Sequence, residues 1–230
     1  MTGGRYSGTD NLEVMKEAVN YNRTLLALVT ARATKGSRIV DFGAGVGTFA
    51  LPLRRDGLAV ECVELDDGQR SALEAQGLPA WRSLAGIADA SVDFVYTFNV
   101  LEHIEDDVAA LADIHRVLRP HGTLLVYVPA FQVLFTSMDR RVGHLRRYTR
   151  GELRAKVDAA GFDVSTAEYV DSLGFLATLL YRVAGSASGD IDRGALRAYD
   201  RFVFPVSRLI DRASKRLIGK NALVVAQRRP

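Results

Sequence analysis

The sequence predicts an α/β protein built on a doubly wound, mainly parallel sheet. Three observations carry this prediction. Short apolar runs alternate with helical segments along most of the chain, a glycine-rich loop follows the first run, and an acidic side chain ends the second. Alternation of this kind produces parallel strands joined by right-handed helical crossovers, with ligands bound at the carboxyl ends of the strands.

Seven segments are expected to form the strands of this sheet: residues 38–42, 58–65, 78–81, 92–98, 123–128, 162–170 and 222–227. Helices are expected over residues 11–34, 46–56, 67–76, 106–118 and 149–160, from apolar residues near helical spacing and from Gly or Pro stop signals. Residues 1–10 are expected to be disordered, and residues 11–230 to form a single domain.

A helical insertion is expected between the last two strands, over residues 171–221. An insertion at this place in a doubly wound sheet can cover a substrate pocket. Within it, Leu173–Val183 is predicted to be an apolar helix, and Gly194–Ile218 an amphipathic helix that Pro205 splits in two. Residues 130–148, after the fifth strand, are expected to form a long loop with one helical turn.

The composition fits a globular protein, since 48% of the 230 residues are hydrophobic and 25% are charged. The single cysteine, Cys62, excludes an intrachain disulfide and makes a cytoplasmic location the default. The first residues lack the apolar core of a signal peptide, and no apolar run reaches the length of a membrane-spanning helix.

Charge is distributed unevenly along the chain. Residues 1–139 carry 12 basic and 18 acidic side chains, whereas residues 140–230 carry 18 basic and 9 acidic ones. A basic C-terminal part indicates an anionic partner, such as a phosphorylated or carboxylated substrate, a membrane surface or nucleic acid. A solvated, arginine-rich face without a partner is the alternative.

The first predicted strand ends in a glycine-rich loop, in which Asp41 is followed by Gly43, Gly45 and Gly47. Glycines are needed where the backbone takes a positive φ or where a ligand presses on the main chain. The spacing breaks the G-x-G-x-x-G register that holds a dinucleotide pyrophosphate. The acidic residue at the strand end favours a ligand with a positively charged amine.

The second predicted strand ends near Glu64, which lies 21 residues after Gly43. An acidic side chain at this distance can accept hydrogen bonds from both hydroxyls of a ribose. Asp66 and Asp67 are better explained as caps of the following helix, whose first turn favours carboxylates. A nucleoside ligand is therefore expected beside the first two strands.

The run Asn99–Asp107, NVLEHIEDD, lies at the carboxyl end of the fourth predicted strand. Together with the glycine loop, it makes the chain resemble the class I S-adenosylmethionine (SAM) dependent methyltransferases. A bacterial group of these enzymes also carries NYNR in the N-terminal helix and GH-x-RRYT after the fifth strand, which stand here at residues 20–23 and 143–149. The resemblance implies a seven-stranded Rossmann-like sheet.

The resemblance also implies SAM as the cofactor and S-adenosylhomocysteine as its product. Relatives often have an acidic residue after the third strand, which accepts from the adenine amino group, and Ser83 or Leu84 must replace it here. The residues expected to bind the cofactor are Tyr21, Asn22, Asp41, Gly43, Ala44, Gly45, Gly47, Glu64, Leu65, Ser83, Leu84, Asn99 and Val100.

His103, His144 and Tyr148 are the candidates for catalysis. A histidine can take a proton from an acceptor hydroxyl or amine, although His103 could equally order its own loop through a backbone hydrogen bond. The resemblance implies that His144, Arg147 and Tyr148 face the acceptor. Arg146 and Arg147 could clamp a phosphate or carboxylate, or could be surface charges that cap the next helix.

Two further features concern a metal site and contact with a membrane. The sequence shows no cluster of Cys and His residues, so no metal is expected. The apolar stripe of Gly194–Ile218, with basic residues on its other faces, suits either packing on its own domain or contact with an anionic membrane.

The sequence therefore predicts methyl transfer from SAM to a small-molecule or glycan- or lipid-linked acceptor with an anionic group, and favours O-methylation. An RNA methyltransferase, an NAD-dependent oxidoreductase and a SAM-binding protein without turnover are the rivals. The glycine register argues against a nicotinamide cofactor, and the lack of an aromatic-rich RNA-binding motif argues against nucleic acid. A cytoplasmic protein with at most peripheral membrane contact is expected.

Overall fold

A computed structural model describes residues 14–184 and 192–230. Its strands are β1 Arg38–Phe42, β2 Ala59–Val63, β3 Ala80–Trp81, β4 Val92–Phe98, β5 Leu118–Pro129, β6 Phe162–Val170 and β7 Asn221–Arg228. They form one seven-stranded sheet in the order β3-β2-β1-β4-β5-β7-β6. The predicted α/β fold is confirmed, while the expected disorder of residues 1–10 falls outside the described residues.

Helices pack on both faces of the sheet. In chain order they are α1 Val19–Thr30, α2 Ala50–Arg55, α3 Asp67–Ala75, α4 Asp107–Val117, α5 Ser137–Val142, α6 Arg150–Ala159, α7 Ser172–Ala184, α8 Arg193–Ala198 and α9 Phe204–Ser214. A π-helical turn, Tyr199–Val203, joins α8 to α9. Over the described part of the chain, every helix is too short or too polar to traverse a bilayer.

Strands β1 to β5 pair in parallel, and β7 lies antiparallel between β5 and β6. The chain order reverses at β1, whose neighbours are β2 on one side and β4 on the other. The loops that follow β1 and β4 therefore diverge and leave a crevice at the carboxyl ends of the strands. Because β7 runs the other way, its first residues reach this same edge of the sheet.

Successive residues of the central strands enter two apolar clusters, one on each face of the sheet. Ile39 belongs to one cluster and Val40 to the other, and Leu125 and Leu124 repeat the alternation in β5. Strands that are covered on both faces need continuous apolar runs, and these runs are the pattern from which the sequence predicts the strands. Each fully buried aliphatic side chain contributes about 1.5–3 kcal/mol, so the sheet is a rigid base for the loops at its edge.

The helix predicted over residues 11–34 is interrupted in its described part, while residues 11–13 fall outside the described residues. Residues 14 and 15 are helical, but a turn intervenes before α1 starts at Val19. The carboxylate of Asp200, in the insertion, accepts hydrogen bonds of 2.8 Å from the backbone N–H groups of Asn20 and Tyr21. It thereby satisfies donors that the first turn of a helix leaves unpaired. Sequence periodicity could not reveal a cap that comes from 180 residues away.

Other boundaries also moved for local reasons. Helix α2 starts at Ala50 rather than at residue 46, because residues 45–49 continue the glycine turn. Strand β5 starts at Leu118 rather than at residue 123, and within it His121 takes a φ of 63°. The predicted loop at residues 130–148 contains α5, which begins with a capping box between Thr136 and Asp139.

Candidate active site

A cavity of about 1330 Å³ opens at the carboxyl ends of β1, β2 and β4. We call the walls from residues 41–49, 63–69, 82–84 and 98–100 the cofactor half. The walls from residues 103–104, 129, 138–147, 171, 196–204 and 220–221 are the acceptor half. The residues that were expected to bind the cofactor and that line the cavity are Tyr21, Asn22, Asp41, Gly43, Ala44, Gly45, Glu64, Leu65, Ser83, Leu84, Asn99 and Val100.

The glycine loop takes a shape that glycine adopts most readily. Gly43, Gly45 and Gly47 have φ values of 85°, 55° and 78°. A Cβ atom at Gly43 would overlap the side chain of Val100, and one at Gly47 would lie 2.8 Å from Cδ2 of Leu73. Gly43 and Gly47 therefore allow close packing within the protein itself. Gly47 does not line the cavity.

Asp41 is buried near the carboxyl end of β1, with 2% of its surface exposed. Its Oδ2 atom has no hydrogen-bond partner, and burial raises the pKa of its carboxyl group to about 7. An unpaired buried carboxylate costs free energy, which a ligand ammonium group would offset by pairing with it. The amine of the expected cofactor fits this position.

Glu64 holds the glycine loop to the start of α3. Its carboxylate accepts hydrogen bonds from the backbone N–H groups of Gly45, at 2.8 Å, and Asp66, at 2.9 Å. Each carboxylate oxygen has a second lone pair, so the side chain can also accept from ribose hydroxyls. Asp66 caps α3 by accepting from the backbone N–H of Gln69, as its place in the sequence indicated.

Helix α1 is joined to the end of β4 across one wall of the cavity. The hydroxyl of Tyr21 accepts a hydrogen bond of 3.3 Å from Asn99 Nδ2, and burial raises the pKa of Tyr21 to about 12. Asn99 has a φ of 55°, which asparagine tolerates better than most residues. The Asn22 side chain donates to the carbonyl of Met15, which also lines the cavity.

Asp139, in α5, organises the acceptor half. Its carboxylate accepts from Thr136 N at 2.8 Å, His144 Nδ1 at 2.7 Å, and Arg147 Nε and Nη2 at 2.8 and 3.0 Å. Burial opposes ionisation, but the hydrogen bonds from His144 and Arg147 outweigh it and hold the pKa of Asp139 well below its usual range. Arg147 thus donates two parallel hydrogen bonds, from Nε and Nη2, to the two oxygens of the Asp139 carboxylate.

His103 and His144 meet edge to face, with ring centroids 4.7 Å apart. His103 Nδ1 lies 3.2 Å from the carbonyl oxygen of Gly143, which is the backbone contact that the sequence offered as its alternative role. Burial and the neighbouring His144 lower the pKa of His103 to about 4. His103 is therefore neutral at pH 7.

Glu102 is fully buried beneath these two rings. Its Oε1 atom lies 3.7 Å from His144 Nε2, and neither carboxylate oxygen has a hydrogen-bond partner. Burial raises the pKa of Glu102 to about 8, so this carboxyl keeps its proton at neutral pH. His144 consequently has an ionised Asp139 at one ring nitrogen and a protonated Glu102 near the other.

Glu102, His103 and His144 each offer a potential metal-ligand atom, and these atoms lie within 4.8 Å of one another. Two imidazoles and a carboxylate are a donor set that suits several divalent metals. The expectation of no metal rested on the absence of a Cys/His cluster in the sequence. The fold brings such a cluster together, because the loop that carries His144 returns to the end of β4.

Tyr148 and Arg146 are outside the cavity. The Tyr148 hydroxyl lies 2.7 Å from Asp107 Oδ2 and 3.1 Å from the Leu101 carbonyl, and burial raises the pKa of Tyr148. Arg146 pairs with the same Asp107 carboxylate at 3.2 Å. Of the residues expected to face the acceptor, the structure brings His103, His144 and Arg147 to the cavity and leaves Tyr148 and Arg146 behind its wall.

Lys220 and Asp171 line the acceptor half, although the sequence patterns singled out neither. Burial lowers the pKa of Lys220, against the attraction of Asp171. Within residues 14–184 and 192–230, Lys220 Nζ makes no hydrogen bond or ion pair. The signal that could have revealed Lys220 is the antiparallel direction of β7, which carries the residue before this strand to the ligand edge.

Comparison with known proteins gives three informative similarities. Residues 15–167 match a family described as a methyltransferase domain. A probable S-adenosylmethionine-dependent methyltransferase of Mycolicibacterium smegmatis is 34% identical over 110 residues, which are 47% of this chain and 39% of that protein. A malonyl-[acyl-carrier protein] O-methyltransferase of Geobacter sulfurreducens is 30% identical over 200 residues, covering 74% of each chain.

A solved structure agrees over the whole chain. It is the complex between the Haloferax volcanii Trm112 methyltransferase activator and a putative methyltransferase, with a TM-score of 0.69 and 100% of both chains covered. At 17% identity this similarity supports the fold alone. The match to the Mycolicibacterium relative spans about two fifths of the length of that protein.

Proposed function

We propose a specific reaction for this chain, which belongs to the family of SAM-dependent methyltransferases. It methylates a hydroxyl oxygen of an acceptor that carries an anionic group and is either a small molecule or linked to a glycan or lipid. Family membership confirms the predicted enzyme class and SAM as the cofactor. The observation that carries the choice of oxygen is the pairing of His144 with the ionised Asp139, beside the cofactor half of the cavity.

Residues of the cofactor half have the chemistry to hold SAM. Asp41 would pair with the ammonium group, Glu64 would accept from the ribose hydroxyls, and Ser83 with Leu84 would meet the adenine. SAM supplies a methyl group on a sulfonium, which is already a good leaving group. The protein has then to align the acceptor, exclude water and receive a proton.

His144 is the proposed general base. An ionised Asp139 only accepts hydrogen bonds, so the proton of the neutral imidazole lies on Nδ1 and the lone pair on Nε2. Nε2 can then take the proton of the acceptor hydroxyl, while Asp139 stabilises the imidazolium that results. His103, whose pKa is lowered to about 4, is too weak a base for this role and is proposed to position His144.

Lys220 is the proposed contact for the anionic group of the acceptor. The sequence suggested Arg146 and Arg147, but Asp107 pairs with one and Asp139 with the other. Lys220 lines the same half of the cavity and carries an ammonium that the described residues leave without a hydrogen bond. A phosphate or carboxylate there would offset the cost of burying that charge.

The first test is transfer of labelled methyl from SAM into an extract of the source cell, separated into lipid, small-molecule, protein and RNA fractions. The His144→Ala variant, with SAM binding measured separately, is run beside the wild-type protein. Label in the lipid or small-molecule fraction that His144→Ala fails to produce supports the proposal, and spectroscopy of the product identifies the methylated atom. Label in RNA, or transfer to nitrogen or carbon, contradicts it.

A further inference from the structure

Helix α9 turns apolar side chains outward and polar ones inward. Val206, Leu209 and Ile210 share one face and are 48%, 59% and 41% exposed. The buried face carries Ser207 and Asp211 together with Phe204 of the first turn. A surface helix of a globular domain normally has the opposite arrangement, with its apolar stripe against the core.

The polar inner face of α9 has a structural role. Asp211 accepts hydrogen bonds of 2.8 and 2.9 Å from the backbone N–H groups of Asp171 and Ser172, and Ser207 accepts one of 3.0 Å from Leu173. These bonds satisfy donors at the start of α7, as a helix cap does. These polar contacts therefore fix the orientation of α9. In that orientation its apolar stripe faces outward.

Neighbouring segments extend this exposure. Leu176 and Leu180 on α7, which packs against α9, are 46% and 70% exposed, and Phe202 in the π-helical turn is 66% exposed. We define the insertion surface as Leu176, Leu180, Phe202, Val206, Leu209, Ile210 and Leu217. Single exposed apolar residues need no explanation, but seven in one short insertion indicate an interaction surface.

The charges of the same helices are almost entirely positive on the outside. Arg201, Arg208, Arg212 and Arg216 are exposed and form no ion pair with the described residues. The carboxylates of Asp200 and Asp211 are buried in hydrogen bonds to backbone N–H groups. Apolar side chains beside unpaired arginines match the interface of a bilayer that contains anionic lipids.

We propose that the insertion surface docks on an anionic lipid bilayer, with α7 and α9 lying in the interface. A second copy of the chain is a poorer occupant, because its arginines would be brought against these arginines. No described helix is able to cross a membrane, so the contact is peripheral. The docking does not depend on the proposed chemistry.

The position of the insertion gives this docking a consequence. Leu196, Tyr199 and Phe204 of the same segment line the acceptor half of the cavity. Docking of this segment would place the bilayer surface beside the acceptor half, which contains His144 and Lys220. The docking therefore favours the lipid-linked class among the acceptors proposed above.

The test is co-sedimentation of the full chain with vesicles of phosphatidylcholine alone or of phosphatidylcholine with phosphatidylglycerol. We expect binding to the anionic vesicles at least tenfold tighter than to the neutral ones, and weakening as salt increases, because arginine and lipid charges are screened. Equal binding to both, or no binding to the anionic vesicles, overturns the proposal.

Two sets of substitutions identify the surface. Leu180→Ser, Phe202→Ser and Leu209→Ser together should reduce anionic-vesicle binding about tenfold or more, and Arg201→Gln, Arg212→Gln and Arg216→Gln together should remove most of its salt dependence. Val108→Ser, at a comparably exposed site on α4, is the matched control and should bind as the wild type does.

Affinity for SAM, measured on every variant, shows that the cavity is intact, so that a failure of docking and a failure of methyl transfer are distinguishable. Light scattering measures whether the chain is a monomer or a dimer in solution. A dimer that the serine variants dissociate, combined with no vesicle binding, would assign the insertion surface to a second copy and overturn the proposal.

Discussion

The two halves of the cavity are built on different principles. The cofactor half consists of turns and carboxylates that directly follow β1, β2 and β4, so the ends of adjacent parallel strands place its groups. In the acceptor half, the groups come from the end of β4, the loop around α5, the insertion and the start of β7. Strand ends place one half and segments distant from one another in the chain assemble the other, so substitutions should separate them.

The largest expected effect is that of His144→Ala. Loss of the general base should lower kcat by about 10²- to 10⁴-fold, with affinity for SAM unchanged, because the cofactor half does not contain this residue. Steady-state kinetics measures kcat, and calorimetric titration measures the affinity for SAM. His121→Asn, an exposed histidine with a φ of 63°, is the matched control. A His144→Ala enzyme with wild-type kcat at every pH would eliminate the base assignment.

Glu102→Gln should change the pH dependence of stability. Between about pH 4.5 and pH 8 the unfolded chain ionises Glu102 while the folded chain keeps it protonated, so this group makes the protein less stable as pH rises. Glutamine removes that penalty, and the variant should gain on the order of 5 kcal/mol over the wild type at pH 9, but little at pH 5.

Urea unfolding at both pH values measures the difference for Glu102→Gln. Glu105→Gln, an exposed glutamate close in sequence, is the control. If the gain is the same at pH 5 and pH 9, the buried carboxyl of Glu102 does not retain its proton in the folded protein, and the electrostatics assigned to the acceptor half are wrong.

Asp41→Asn tests the cofactor half. Removing the charge that would pair with the SAM ammonium should weaken SAM binding by about 10- to 100-fold, since a hydrogen bond to a charged group contributes about 1.5–3 kcal/mol. Calorimetry provides the dissociation constant, and Asp56→Asn at an exposed turn is the control. Unchanged SAM affinity would remove Asp41 from the binding site.

Lys220→Met should raise the KM for an anionic acceptor about tenfold with little change in kcat, because the lost interaction is the same in the ground and transition states. Arg146→Met and the exposed Lys35→Met should leave KM close to the wild-type value. Initial rates over a range of acceptor concentrations give KM and kcat for each variant. A larger rise for Arg146→Met than for Lys220→Met would restore the assignment made from the sequence.

The smallest expected effect is that of a chelator. If His144 acts as the base, incubation with EDTA followed by gel filtration should leave the rate of methyl transfer unchanged. A loss of more than about tenfold that Mn²⁺ or Mg²⁺ restores would show that Glu102, His103 and His144 hold a cation, which would then acidify the acceptor hydroxyl in place of the base.

The contrast between the halves also explains what the sequence could predict. The places of Asp41, Gly43 and Glu64 at the cavity could be predicted, because each follows from position at a strand end, which apolar periodicity locates well. The link from Asp139 to His144 and Arg147 was not found, since it depends on α5 folding within a segment expected to be a loop. The place of Lys220 at the cavity could not be predicted, because the reversed direction of β7 has no local signature in the sequence.

Tyr148 shows a different limit of the sequence. Its motif predicts a segment at the cavity, but two neighbouring residues of an extended segment point to opposite sides. Arg147 therefore reaches the cavity while Tyr148 reaches Asp107 behind it. Proximity in sequence identified the segment, and only the fold could decide which side chains face the ligand.

The cap that Asp200 places on α1 affects the order in which the protein assembles. Helix α1 leaves the ribosome early, but the carboxylate that satisfies its first N–H groups follows 180 residues later. Contacts at such separations form slowly, because a long loop must close before they contribute. Strands β1 to β5 and the loops of the cofactor half can form on the nascent chain, whereas the β7–β6 edge of the sheet and the enclosed reaction chamber need the insertion and β7. A partly made chain would thus bind nucleoside before it could exclude water.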